Sequence, residues 1–211
     1  MKKPLFLFVF FFSLLVPIIS SSQAPNLGTA SSFAVFTSAG AFTNNGTTNI
    51  TGNIGTHVGA LTGFPPGIVY GQIHVANATS SQASTDLATA YSALASQTPD
   101  SVISVTLGNN QILKPYIYST GAASTLNGTL ILDGQGNPNA VFIFKIDGAF
   151  STNASSNISL INSATLCNVY WQVNGAFSLG ASSVFRGTML ANGAVSLLEG
   201  AALYGQVLTK T

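Results

Sequence analysis

The chain has 211 residues, a formal charge of +1 and only 5% charged side chains, where about a quarter is ordinary for a soluble domain. Six Lys and Arg form no basic stripe, which excludes nucleic acid as a partner, and two His with one Cys give no metal-ligand spacing, so no metal or cofactor is expected. So little charge would suit disorder, but Phe, Val, Ile and Leu recur in register with a repeat, so the chain reads as folded.

At the start, Lys2 and Lys3 precede an apolar run from Leu5 to Ile19 and then Ser20, Ser21 and Ser22. A basic start, a short apolar stretch and small residues make a secretory signal over 1–22, leaving one domain over 23–211 and a secreted, extracellular product. The run is short for a span, and no later segment is apolar enough, so no membrane contact is expected after cleavage. The mature part carries Lys114, Lys145, Arg186 and Lys210 against Asp86, Asp100, Asp133, Asp147 and Glu199; four minus five gives −1. Cys167 alone allows no intrachain disulfide, so rigidity must come from the fold. Its apolar setting, Leu166 to Val173, reads as that of a small buried hydrophobe.

Residues 27 to 76 read as short strands broken by Gly: Phe33 to Phe36, Ala41 to Thr43, Asn49 to Thr51, Asn53 to Gly55 and, after the turn Gly63-Phe64-Pro65-Pro66-Gly67, Ile68 to Val75. Between Gly71 and Gly108 glycine vanishes, and Ala83, Leu87, Tyr91 and Leu94 recur at helical spacing. This predicts one helix over about 79–97, capped by Asn77 or Thr79 and stopped by Pro99. Its narrow, small apolar stripe suits packing on a flat sheet, and it lacks the basic face of a membrane-surface helix. Strands then return over Val102 to Leu107, Gln111 to Tyr118, Thr129 to Asp133, Ala140 to Ile146 and Asn168 to Val173, with a loop over Ile161 to Leu166.

One phrase recurs throughout. Gly40-Ala41-Phe42-Thr43 returns as Gly148-Ala149-Phe150-Ser151, Gly175-Ala176-Phe177-Ser178 and Gly193-Ala194-Val195-Ser196. Asn174 to Ala191 lies over Asn192 to Thr209 without a gap, at a period of 18 residues. A fixed period of this size, rich in β-branched residues, Gly and Ser, reads as one turn of a β-solenoid. Strand alternation places Phe42, Phe150, Phe177 and Val195 inside. Ala41 and Thr43, Ala149 and Ser151, Ala176 and Ser178, and Ala194 and Ser196 then point out, as a small, uncharged, flat face. A second outward set holds Asn49, Thr51 and Asn53, then Val184, Arg186 and Thr188, then Ala202, Tyr204 and Gln206; Arg186 and Tyr204 roughen it, so it ranks behind the first.

No catalytic constellation is visible, and no enzyme is expected. Asp133 and Asp147 could pair as in glycosidases, but each precedes Gly, as turn residues do. Gly134-Gln135-Gly136 opens no helix and is a turn, and Trp171 reads as core. Sequons at Asn45, Asn49, Asn77, Asn127, Asn153 and Asn157 matter only in a eukaryotic source.

Several motifs, in order, carry a resemblance. They are Leu27-Gly28-Thr29-Ala30-Ser31-Ser32-Phe33, Gly52-Asn53-Ile54-Gly55-Thr56, Gly71-Gln72-Ile73-His74, Asn137-Pro138-Asn139-Ala140-Val141-Phe142, Cys167-Asn168-Val169-Tyr170-Trp171 and Phe185-Arg186-Gly187-Thr188-Met189-Leu190-Ala191. With them the chain resembles the secreted microbial ice-binding (antifreeze) proteins. The resemblance implies a mainly β fold: a right-handed β-solenoid of triangular cross-section, with coils discontinuous in sequence and one long helix packed along it. It also implies adsorption to an ice crystal surface through a flat solenoid face, inhibiting ice growth and recrystallisation, by a monomer without a cofactor. This chain has more Ser than Thr in its outward ladder, and many relatives run one strand beyond the position of Thr211, so a shorter face is expected. The competing reading of the same fold is a non-catalytic adhesion or glycan-binding module.

Overall fold

The computed structural model describes residues 23–211; the leader read at 1–22 lies outside the described residues. The described chain is mainly β, with one long helix, and its strands build a three-faced solenoid in which every paired strand runs parallel to its neighbour.

One face is a continuous stack of nine strands. Its order is Ile73–Val75, Asn53–Val58, Phe33–Ala39, Ala202–Thr209, Val184–Ala191, Val169–Val173, Phe142–Ile146, Ile117–Ser119 and Ser101–Val102. Spatial order therefore departs from chain order: Phe33–Ala39, near the start, seats against Ala202–Thr209, with Val35 opposite Val207. The expected discontinuity of the coils is present.

The strands Val184–Ala191 and Ala202–Thr209 each run through a corner and serve two faces. Gly187 and Gly205 make those corners, with φ of +114° and +130°, which side-chain-bearing residues seldom adopt. They also stack in register, and a Cβ on Gly205 would lie 2.1 Å from the Gly187 carbonyl oxygen. Corners also break three strands expected to be continuous. Ile68 to Val75 divides into Ile68–Tyr70 and Ile73–Val75, Val102 to Leu107 into Ser101–Val102 and Thr106–Gly108, and Gln111 to Tyr118 into Gln111–Leu113 and Ile117–Ser119.

Inside, the strands align aromatic side chains into a column. Trp171 is fully buried and lies flat on Phe144 with centroids 4.0 Å apart. It also stacks on Phe150 at 5.2 Å, which stacks on Phe177 at 5.7 Å, separations at which aromatic pairs attract. Trp171 is core, as expected.

Helix α1 spans Ala78–Ser96, within a residue of the expected span. It joins the Ile73–Val75 end of the nine-strand face to the Ser101–Val102 end. Eight inter-strand steps of about 4.8 Å make that face roughly 38 Å long; 19 helical residues cover about 28 Å of it, and the extended segment after Ser96 the rest. Ala83, Leu87, Ala90, Tyr91 and Leu94 bury against Phe36, Ile117, Ile143, Tyr170, Leu190 and Leu208. The helix therefore covers this face.

Asn77 caps the helix by accepting from the Ser80 N–H, and the Ser80 hydroxyl oxygen accepts in return from the Asn77 N–H. Asn77→Ala is expected to lower stability by about 1 kcal/mol, read as a lower thermal midpoint. About two turns further along, Asp86 accepts from the Thr29 N–H at 2.7 Å and from Gln82 at 2.9 Å. These bonds, the Thr29 N–H first, hold its carboxyl below the ordinary 3.8. A carboxyl depressed by folding stabilises the fold when ionised, so its contribution is present at neutral pH and is lost as pH falls below that value. The thermal midpoint is expected to drop in that acid window, and less so in Asp86→Asn. Asp133, lowered by Gln135 N–H and Asn162, supplies part of the remainder.

Two expectations need correction. Cys167 is exposed, because it lies in the short 3-10 helix Leu166–Asn168 at a corner rather than in a strand. Ile161 belongs to the strand Asn157–Ile161, so the irregular stretch begins only after it.

Candidate functional site

The second face stacks Val195–Leu197, Phe177–Leu179, Phe150–Thr152, Ser124–Asn127 and Thr106–Gly108 in that order, with a separate pair, Phe42–Thr43 and Leu61–Thr62. Alternation along each strand divides the residues as expected. Phe150 and Phe177 are buried, while Phe42 and Val195 are only half-buried.

Outward, two columns run across the strands. Register aligns Thr106, Thr125, Ser151, Ser178 and Ser196, and in the separate pair Thr43 and Thr62. Neighbouring hydroxyls touch: Ser196 donates to Ser178 at 3.1 Å, Thr62 to Thr43 at 3.3 Å, and Thr125 and Ser151 lie 3.5 Å apart. Beside them, Ala123, Ala149, Ala176 and Ala194 are exposed, as are Ala41 and Ala60. Their carbonyls carry the ladder, with Phe150 N–H on Ala176 O and Phe177 N–H on Ala194 O. At the corner beyond, Asn153 donates to Asn127 and Asn127 to Asn109, each at 3.2 Å. No outward residue of these columns is charged.

This surface is preorganised. Ala has no rotamer to lose, and the Ser178–Ser196, Thr43–Thr62 and Thr125–Ser151 hydroxyls are already held near one another, so little side-chain entropy remains for a contact to remove. Methyl groups form one column and hydroxyls the other, each repeating at the spacing of the strands, about 4.8 Å. Among the described residues no cluster of His, Cys, Asp or Glu could hold a metal ion, and Asp133 is engaged by Gln135 N–H and Asn162 as a turn residue.

All eight residues of the first expected set lie on this face, in two blocks. Ala149, Ser151, Ala176, Ser178, Ala194 and Ser196 belong to the five-strand sheet, and Ala41 and Thr43 to the separate pair. Sequence reasoning missed Ala60, Thr62, Thr106, Ala123 and Thr125. Gly59-Ala60-Leu61-Thr62 carries the repeated phrase intact and could have been found by it.

The second set is not brought together. Asn49 and Thr51 are exposed on the third face, which holds Gln111–Leu113, Thr129–Asp133, Asn157–Ile161, the pair Asn49–Thr51 and Ile68–Tyr70, and the first halves of the two cornering strands. Asn53 sits at the corner, its side chain accepting from Gln72 N–H at 2.9 Å. Thr188 lies beyond Gly187 and is buried on the helix-covered side. Arg186 occupies the third face itself, bonded to Asn157 at 2.8 Å and lying 5.3 Å from the Tyr204 ring centroid.

Residues 36–211 match the family described as Ice-binding-like. The chain belongs to this family. An ice-binding protein of Nostoc sp. (strain HG1) is 37% identical over 175 residues, which are 82% of this chain and 64% of that protein. The crystal structure of an ice-binding protein from an Antarctic bacterium, Flavobacteriaceae, superposes with a TM-score of 0.81 at 36% identity, over 93% of this chain and 50% of that one. That of an ice-binding protein from the Antarctic ascomycete Antarctomyces psychrotrophicus gives 0.75 at 35% identity, over 90% and 98%. The chain thus spans just under two thirds of the Nostoc relative and half of the Flavobacteriaceae chain. Membership of the Ice-binding-like family agrees with the solenoid, the discontinuous coils and the long helix described above.

Proposed function

We propose that this protein adsorbs to ice through the second face and so inhibits ice growth and recrystallisation. The observation that carries the reading is the pair of outward columns, free of charge: Ser or Thr in register across five strands, with Ala beside it on four of them. Rigid methyls order adjacent water, hydroxyls at strand spacing anchor it, and no ion imposes its own hydration geometry. Ice closing around adsorbed molecules must grow curved, which lowers the local freezing point. The face works without chemistry, as a monomer, and the protein acts outside the cell after loss of residues 1–22.

Of the other faces, the helix covers the first and the third carries Arg186 and Tyr204. Thermal hysteresis of residues 23–211, with crystal shape recorded in the same cell, tests the proposal. A freezing gap with faceted or burst growth is expected. Round crystals and no gap, from folded protein at high concentration, refute it and favour the adhesion module.

A further inference from the structure

Asparagine followed by glycine occurs four times: Asn45-Gly46, Asn127-Gly128, Asn174-Gly175 and Asn192-Gly193. In such a pair the glycine nitrogen can attack the asparagine side-chain carbonyl carbon, because no Cβ shields it and the glycine backbone turns freely. The attack closes a five-membered ring. It therefore needs a side chain free to swing and a nitrogen with no bond to give up. The fold denies one or the other to three of the pairs.

Asn127 is held on both sides, donating to Asn109 and accepting from Asn153, each at 3.2 Å. Asn174 accepts from the Tyr91 hydroxyl at 2.9 Å, and Gly175 packs so closely that a Cβ there would lie 2.7 Å from Ala149 N. Gly193 N–H is engaged by Gly175 O at 3.0 Å. Asn45-Gly46 differs on each count. It stands in the turn between Phe42–Thr43 and Asn49–Thr51, and both residues are exposed. Among the described residues neither the Asn45 side chain nor the Gly46 N–H has a hydrogen-bond partner. Gly46 has a φ of +107°, and a Cβ built there would meet nothing within 4 Å. The turn is anchored all the same. Asn44 N–H bonds Thr62 O at 3.0 Å, and Asn44 Nδ2 donates to Gly46 O at 2.8 Å and to Gly63 O at 3.0 Å. These bonds come from the Leu61–Thr62 side, so they hold the turn whatever lies beside its other edge.

We propose that Asn45 is a site of spontaneous deamidation, singled out by the fold from four like pairs. Gly46 N bonds to Asn45 Cγ, the Cγ–Nδ2 bond breaks, and the Gly46 amide proton leaves with the side-chain nitrogen as ammonia. Water then opens the cyclic imide at either carbonyl. Opening at one gives aspartate; opening at the other gives isoaspartate, in which the main chain runs through the side-chain carbon. Either product carries a carboxyl that is ionised at neutral pH, the ordinary aspartate value being about 3.9. The formal charge of residues 23–211 goes from −1 to −2. The new charge stands two residues past Thr43, beside a face whose outward columns carry none. The isoaspartate form also lengthens the turn by one main-chain carbon, which draws Gly46 O away from Asn44.

The test holds folded residues 23–211 in warm, mildly alkaline buffer below the thermal midpoint. Samples taken with time are digested and read by mass spectrometry with electron-transfer fragmentation, which separates aspartate from isoaspartate. Asn45 is expected to convert at least ten-fold faster than Asn127, Asn174 and Asn192, with both products present. In urea the four are expected to react at similar rates, because the bonds that protect three of them are gone. Asn45→Gln is expected to abolish the fast-forming acidic species on isoelectric focusing, with unchanged circular dichroism. Equal rates at the four sites in the folded protein, a faster reaction at any of the other three, the same ten-fold preference in urea, or aspartate without isoaspartate would each overturn the proposal. None of these readouts depends on ice.

Discussion

Ser178→Tyr is expected to cut thermal hysteresis at least ten-fold while leaving the fold intact. Ser178 stands on the second strand of the five-strand sheet, its hydroxyl accepting from Ser196 at 3.1 Å, with Ser151 in register on its other side. A phenol ring there stands proud of the surface and lifts the neighbouring Ala and Ser columns away from a flat crystal. The added side chain points outward, so its effect on stability is expected to stay within about 0.5 kcal/mol, as for other surface changes. Circular dichroism and the thermal midpoint check that half; freezing-point depression checks the other. Thr51→Tyr on the third face is the control and is expected to retain activity. A folded Ser178→Tyr protein with full hysteresis, beside an inactive Thr51→Tyr, would move the contact surface to the third face.

Trp171→Ala is expected to be the most damaging single truncation. The ring is fully buried and packs on Phe144, Phe150 and Phe185, while its N–H bonds the Arg186 carbonyl at 3.3 Å. Removal leaves a cavity that parallel ladders on both sides prevent from collapsing. The loss is about 3–5 kcal/mol, a large share of the roughly 5–15 kcal/mol typical of a domain. At 2–4 °C per kcal/mol the midpoint falls by about 6–20 °C. Urea unfolding followed by circular dichroism measures it, and a loss under 1 kcal/mol rejects the account of the core. Hysteresis measured well below the midpoint is expected to survive, since the outward columns are untouched.

The outward face was legible in the sequence wherever a coil keeps the full Gly-Ala-Φ-Ser/Thr phrase. It was illegible in Ala122-Ala123-Ser124-Thr125 and Ser104-Val105-Thr106, where a small or β-branched residue replaces the inward Phe and no Gly opens the phrase. Register alone identifies Thr125 and Thr106 there. The second set failed for a geometric reason. Alternation was carried from Arg186 to Thr188 as if the strand were straight, but Gly187 at φ +114° turns it, and Thr188 emerges on another face. Which face α1 covers was also hidden. Ala83, Leu87, Tyr91 and Leu94 announce a helix that packs, but its partners Phe36, Ile143, Tyr170, Leu190 and Leu208 come from distant segments.

The seating of Phe33–Ala39 against Ala202–Thr209 bears on how the molecule reaches this state. Val35 meets a residue 172 positions later, so closing that contact carries a large loop entropy and favours slow folding. During synthesis the first of the described strands waits for the last of them before its second edge is satisfied. Until then it is an unpaired edge beside exposed Phe33 and Phe36, the kind of surface on which nascent chains aggregate. A chain that stays unfolded until it is complete avoids that exposure, and passage through a membrane in an extended state before folding would impose this order.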